Sequence, residues 1–317
     1  MSKSNQNITL IGGTGFIGTN LAINLAKENN VTVVDSDKRY FMTIEELGLP
    51  VRKLEASFDL DSDFDKQVEN ADIVYHLAST NFPGNSNIDI STELEANVTV
   101  TCRLLDACVR NNVKKVVFIS SGGAVYGKKG VCPVNEDTVT YPITSYGIQK
   151  LTIEKLLYLY RYQKGLDYRV IRLANPYGPY QRPNGQLGVI TTFIYQALKG
   201  DTLKVYGDGS VVRDFIYIDD AMRGIINIAN GESDLRVFNL GSGKGTSISE
   251  VINMIRSVIN DNISVEYNDS RSIDVPMNYL DISRYEECFG KLNPIDLRQG
   301  ILRTVDFLSG HMEKNNE

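Results

Sequence analysis

Apolar and polar positions follow one rhythm in the first half of this chain and lose it in the second. Through residue 174, short runs of branched apolar residues recur, each followed by a stretch with helical spacing. Ile8-Thr-Leu-Ile11, Val31-Thr-Val-Val34, Ile73-Val-Tyr-His-Leu77, Lys115-Val-Val-Phe-Ile119 and Tyr168-Arg-Val-Ile-Arg-Leu173 predict buried strands. Residues 16–28, 90–111 and 146–163 predict helices, the second from Ala96, Val100, Leu104, Leu105 and Cys108. Repeated strand–helix units with short links build a parallel, doubly wound α/β sheet, whose ligands sit at the carboxyl ends of the strands.

After residue 175 the alternation stops. Pro179–Gly188 predicts a loop or lid, followed by a helix (189–199), the strand Leu203–Tyr206 and the turn Gly207-Asp-Gly209. Val237-Phe-Asn-Leu240 predicts a strand entering a Gly241–Gly245 turn, then a helix over 247–259 and a tail, 261–307, of one short strand with helices. Gly241-Ser-Gly-Lys-Gly245 lacks the spacing of a P-loop and predicts a connecting turn. The organisation expected is a dinucleotide-binding domain over 1–174, also receiving 211–241, with a smaller α/β substrate domain over 175–317.

The first strand runs directly into Gly12-Gly-Thr-Gly-Phe-Ile-Gly18, with glycines at 12, 15 and 18. Such a loop turns tightly, lets backbone approach a pyrophosphate, and aims the N–H groups of the next helix at it. The second strand ends in Asp35, twenty residues after Gly15, where a carboxylate bonds a ribose diol and repels a 2′-phosphate. Strand, loop, helix and acid together predict a Rossmann sheet that takes NAD, with Lys38 and Arg39 nearby as a counter-influence.

Composition changes little. The 317 residues are 42% hydrophobic and 23% charged, ordinary for a soluble globular protein. A net charge of −6, with no basic run, argues against nucleic-acid binding. No apolar stretch approaches the roughly 20 residues that span a bilayer, and the polar start is no signal peptide. Four cysteines without a Cys-x-x-Cys and two histidines, His76 and His311, support neither a disulfide framework nor a metal site, which makes a reducing cytoplasm the expected compartment.

The candidate chemistry is Tyr146-Gly-Ile-Gln-Lys150. Four residues apart on a helix, the two side chains share a face, and an ammonium beside a phenol favours the phenolate. Such a pair can take a proton from an alcohol, given an oxidant. Alone the spacing is weak; the glycine loop and Asp35 supply the oxidant.

The glycine loop, the Ser120-Ser121 strand end and Tyr146-x-x-x-Lys150 resemble the extended short-chain dehydrogenase/reductases, and more narrowly the UDP-glucose (UDP-galactose) 4-epimerases and their relatives. Asn97, Asn175-Pro176, Arg213-Asp-Phe-Ile-Tyr217 and Arg271-x-x-Asp274 extend the resemblance over nearly the whole chain. It implies that NAD is held by Gly12, Gly15, Phe16, Ile17, Gly18, Asp35, Ser36, Phe58, Leu77, Ala78, Ser79, Asn97 and Ser120, with Tyr146 and Lys150. It implies a UDP-sugar held by Asn175, Val189, Tyr206, Arg213, Arg271, Asp274 and Asn278, with the arginines on the pyrophosphate, Asp274 on the uridine ribose and Tyr206 by the uracil. Tyr146 would be the base for C4 inversion through a 4-keto sugar, and the helices at 92–111 and 146–163 would pair into a homodimer.

Gly122 stands where the family usually has Ser or Thr, which shifts the helper role to Ser121, while Ser120 is expected to face the packed side. Gly123 and Ala124 stand where the resemblance would put the Asp-Glu pair of the dehydratases, which argues against dehydration. A 4-keto reductase and a UDP-glucuronate 4-epimerase share the same Tyr/Lys pair and remain open, as does, from another class, a catalytically silent NAD-binding sensor. Asn278 in place of a bulky aromatic leaves room for an N-acetyl group.

Overall fold

The computed structural model describes residues 5–128, 131–183, 188–271 and 274–314. In chain order the first half runs β1 (Asn7–Ile11), α1 (Phe16–Leu25), β2 (Asn30–Asp35), α2 (Met42–Glu46), β3 (Val51–Glu55), α3 (Phe64–Val68), β4 (Ile73–His76), α4 (Ile90–Leu94), α5 (Val100–Arg110), β5 (Lys115–Ser121), α6 (Ser145–Lys164) and β6 (Asp167–Leu173). The rest is β7 (Asn175–Tyr177), α7 (Val189–Lys199), β8 (Leu203–Tyr206), β9 (Val212–Tyr217), α8 (Ile218–Asn230), β10 (Val237–Leu240), β11 (Gly245–Ser247), α9 (Ile248–Val258), β12 (Val265–Asn268), β13 (Met277–Asn278), α10 (Ser283–Phe289) and α11 (Leu297–Lys314).

Seven strands form one parallel sheet in the order β10-β6-β5-β4-β1-β2-β3. Side chains alternate across a strand, so each apolar run supplies two cores. Leu10, Val33, Val117 and Ile119 join one core with Leu21 and Leu25 of α1 and Ile225 of α8. Ile11, Val34, Val116 and Phe118 join the other with Leu104 and Leu105 of α5 and Ile153 and Leu157 of α6. Near-continuous apolar strands are what a sheet covered on both faces requires.

β10 returns from the second half to pair with β6, Leu240 opposite Leu173. The remaining strands are smaller work. β9 pairs antiparallel with β11 and parallel with β7 and β13, and β8 pairs with β12. β9 therefore sits at the junction, because β7 follows directly on β6 and carries that line across.

The helix expected over 90–111 is not uniform. Glu95–Thr99 form one π-helical turn between α4 and α5, centred on Asn97. Such insertions are rare and re-aim the side chains around them. α6 begins on the Thr144 hydroxyl, which accepts from the Gly147 N–H, and ends on Gly165 in the left-handed region. That N-cap sets the start of the helix one residue before Tyr146. No described helix is long and apolar enough to cross a membrane.

Candidate active site

A cleft of 820 Å³ lies across the carboxyl ends of β1, β4, β5 and β6 and reaches down to β8, β9 and β13. One end is backbone. Gly12 sits at φ +79°, and a Cβ there would lie 2.8 Å from the Ala78 backbone; one on Gly18 would lie 2.5 Å from the Gly13 carbonyl. The loop is thus closed tightly against β4 and α1. Gly15 caps α1 in extended geometry, with no side-chain cap and no acid in the first turn. Its open N–H groups fit a diphosphate.

Asp35 stands at the end of β2, where one carboxylate oxygen accepts from the Thr14 N–H (3.2 Å) and Thr14 hydroxyl (2.6 Å). The acid braces the glycine loop from behind. Lys38 faces Glu55 at 3.6 Å and Arg39 is bonded to Asp37, so both cations have carboxylate partners. The set fits NAD: a glycine-shaped anion cradle, an acid at the ribose position, and no uncommitted cation among these two for a 2′-phosphate.

At the centre, Tyr146 and Lys150 line the cleft from α6 and Ser121 from β5. Burial outweighs the expected effect of Lys150 on Tyr146. Burial pushes Tyr146 up to about 12, while a hydrogen bond with the Ser121 hydroxyl acts the other way. Lys150 is committed elsewhere: its ammonium donates to the Ile119 carbonyl at 3.0 Å and lies 5.5 Å from the centre of the Tyr146 ring. Burial also pulls Lys150 down to about 8, with Glu154 holding it up.

Ser121 turns its hydroxyl to the cleft centre. Ser121 accepts from the Ala124 N–H at 3.1 Å and meets Tyr146 with its hydroxyl. Gly122 points away from the cleft, because a Cβ there would be 2.6 Å from Leu280. Any hydroxyl at 122 would collide with that leucine.

At the far end, Arg213 and Arg271 meet on one acid. Arg213 is 3.6 Å from Asp274 and donates to the Val212 and Val275 carbonyls; Arg271 bonds Asp274 at 3.1 Å. Burial lowers the Arg213 pKa, opposed by Asp274 and assisted by Arg271. The Arg271 guanidinium covers the Tyr206 ring at 4.5 Å, occupying a face that would otherwise be open for stacking. Asn175 donates to the Asp214 carbonyl at 2.9 Å, and Asn278 is buried beside Arg213 in the β13–β9 register.

The structure brings Gly12, Gly15, Phe16, Ile17, Gly18, Leu77, Ser79, Ser120, Ser121, Tyr146 and Lys150 to this cleft, with Asn175, Val189, Tyr206, Arg213, Arg271, Asp274 and Asn278. Asp35, Ser36, Phe58, Ala78 and Asn97 do not line it. Phe58 packs on Phe64 and His76, and Ala78 packs on Gly12. Asn97, lifted by its π turn, holds the Thr80 N–H and hydroxyl, a brace for the cleft rim. The Ser120 hydroxyl faces the packed side, as expected, donating to Glu154 at 2.6 Å.

Two residues escaped sequence reasoning. Glu93 accepts from Asn81 of the rim (3.0 Å) and Gln149 of α6 (3.2 Å), and no spacing marks it. Glu154 was in reach, four residues after Lys150 on the same helical face.

A model of the NAD dependent epimerase/dehydratase family matches residues 8–241. A UDP-glucose 4-epimerase of Mycolicibacterium smegmatis is 31% identical over 94% of this chain and 92% of its own. A UDP-N-acetylglucosamine 4-epimerase from Methanobrevibacter ruminantium, solved with UDP-N-acetylmuramic acid, is 30% identical with a TM-score of 0.88, covering 98% of this chain and all of its own. A UDP-glucuronic acid 4-epimerase from Bacillus cereus, solved with UDP-glucuronic acid and NAD, is 27% identical with a TM-score of 0.87, covering 96% and 99%.

Proposed function

This chain belongs to the NAD-dependent epimerase/dehydratase family, and on that premise we propose that it inverts C4 of a UDP-hexose, UDP-glucose/UDP-galactose or their N-acetyl forms. The observation that carries this is the convergence of Tyr146, Ser121 and Lys150 midway between the glycine cradle and the two arginines.

Tyr146 takes the proton of the sugar C4 hydroxyl and later returns it, with Ser121 hydrogen-bonded to the same oxygen. Bound NAD would supply the reversible hydride chemistry at C4 and a cationic ring beside Tyr146. Tyr146 held near 12 by burial needs nearby positive charge to ionise at neutral pH, and Lys150 is the protein's own contribution. Lys150 also holds the cofactor ribose. Arg213 and Arg271 grip the diphosphate, as a guanidinium fork suits phosphate oxygens, with Asn175, Val189 and Tyr206 around it. Asp274 takes the uridine ribose. No net redox change occurs, so activity needs no added cofactor, which separates this reading from a 4-keto reductase.

Asn278 supports the N-acetyl forms, because its small buried side chain at the sugar end leaves room that an aromatic would fill. Gly123 and Ala124 carry no proton-transfer group, so water elimination has no catalyst there. The division of labour proposed for the chain is 1–174 with 211–241 for NAD and the rest of 175–317 for the nucleotide sugar. A homodimer through α5 and α6 is proposed with it, since α6 leaves Ile148, Tyr158, Leu159 and Tyr162 exposed.

The test is a panel of UDP-glucose, UDP-N-acetylglucosamine and UDP-glucuronate, each followed by NMR for the C4 epimer without added cofactor. Inversion of either neutral sugar is the expected result. Inversion of glucuronate alone favours the uronate epimerase, and no inversion of any sugar sinks the proposal.

A further inference from the structure

Beneath the cleft lies a buried ion pair, Glu154 with Arg172, that the proposed chemistry does not use and that packs against Lys150 and Ser120. Glu154 is 4% exposed, Arg172 5%, Ser120 3% and Lys150 6%, so these polar groups answer mainly to one another. Lys150 and Glu154 lie four residues apart on one face of α6 and grip consecutive residues of β5. Lys150 donates to the Ile119 carbonyl at 3.0 Å, and Ser120 donates to Glu154 at 2.6 Å. The next residue is Ser121. Arg172, paired across the sheet with Ser120, closes on Glu154 at 2.7 and 3.1 Å. Its remaining nitrogen donates to the Tyr126 hydroxyl at 3.0 Å, which donates in turn to Asn239 at 2.6 Å.

We propose that Glu154 is a positioning residue for this site: it fixes the Ser120–Ser121 strand end against the helix that carries Tyr146, and it keeps Lys150 in its charged form. The strand end and Tyr146 stand on different elements, so their relative aim depends on what joins those elements at that level. Misaiming reacting groups by a fraction of an ångström is costly in rate. The groups around Lys150 are few. α6 contributes Tyr146 and Glu154; β4 contributes His76, which burial and then Lys150 itself pull down to about 3, so it is neutral. β5 contributes the Phe118 ring, 4.7 Å from the ammonium, and the Ile119 carbonyl, neither of which titrates. Arg172 on β6 stands behind Glu154. Glu154 is thus the single anion facing Lys150 among these groups. Lys150 sits at about 8 with Glu154 raising it, so a rate that needs the ammonium falls as pH rises through that value. Removing the Glu154 charge moves the fall to lower pH.

The kinetic arm rests on the proposed C4 chemistry; the titration arm does not. In full-length protein, nitrogen NMR follows the Lys150 ammonium against pH, assigned with Lys150→Met. Glu154→Gln is expected to lower the midpoint by about one unit, a tenfold change in proton affinity, to move the alkaline limb of kcat with it, and to lower kcat about tenfold. Ser120→Ala, which breaks the strand clamp and leaves the charge, is expected to lower kcat several-fold (on the order of the loss of one hydrogen bond) with the Lys150 midpoint and KM unmoved. A folded Glu154→Gln with a wild-type Lys150 midpoint overturns the proposal, whatever its kcat. Where Glu154→Gln does not fold, Ser120→Ala and Glu154→Asp decide it: wild-type kcat in both overturns it, and reduced kcat in either supports it. A wild-type protein that inverts no sugar counts against the C4 reading, whereas an unmoved midpoint counts against Glu154.

Discussion

The two ends of the cleft are built by different means. The end proposed for the cofactor is backbone: Gly12 and Gly18 leave no space for a side chain, Gly15 exposes the first turn of α1, and the sheet behind is packed on both faces. The end proposed for the nucleotide sugar is side chains, with Arg213 and Arg271 meeting at Asp274. The first kind of site exists as soon as the fold does. The second exists only if several side chains keep their partners, and it is correspondingly easy to retune.

Substitutions can break or sharpen that contrast. The largest effect is expected where the two ends meet: Tyr146→Phe removes the base and should lower turnover roughly a thousandfold or more, leaving bound NAD in place by mass spectrometry of the denatured protein. Retained turnover would remove Tyr146 from the mechanism. At the backbone end, Gly18→Ala forces a Cβ onto the Gly13 carbonyl and should cost about 1–3 kcal/mol of stability along with NAD retention, read by thermal unfolding and cofactor content. A variant that unfolds and holds NAD as the parent does would show the cradle to be looser than it is drawn. At the side-chain end, Arg213→Ala should raise KM roughly thirtyfold, and the half-exposed Arg271→Ala about tenfold, with kcat and melting temperature little changed. Equal loss of kcat would move either arginine out of uniform binding. Smallest is Ser121→Ala, expected to lower kcat by several-fold to about tenfold with KM unchanged, the scale of one hydrogen bond. An unchanged rate would hand that bond to another group.

The same contrast explains what could be read from the chain. The glycine loop is legible because strand, turn, helix and acid are contiguous and each has a backbone reason to be what it is. Asn175, Arg213 and Arg271 are legible only through resemblance, since no local pattern says that they share a cleft. Spacing put Lys150 on the face of Tyr146 and told nothing of burial or of where the long side chain ends; burial raises Tyr146, and the Ile119 carbonyl takes the ammonium. Gly122 is clear only in three dimensions, since Leu280, the residue that forbids a side chain there, lies 158 positions away. The π turn at Asn97 has no signature in the 90–111 periodicity, and it decides that this asparagine braces the rim.

Asp274 carries a further consequence. A carboxylate attached to the same short segment as Arg271 is a resident competitor for both guanidinium groups, present at an effective concentration on the order of millimolar or above. A lone inorganic phosphate has to displace it with one point of attachment. On the proposed binding mode, a nucleoside diphosphate would displace it while gaining contacts on either side, and would release the acid to a hydroxyl nearby. On that mode the tethered anion would favour ligands able to bind at several points, and it stands between two close cations. Asp274→Asn, which keeps the shape and removes the charge, should make the protein newly sensitive to inhibition by simple phosphate and sulfate.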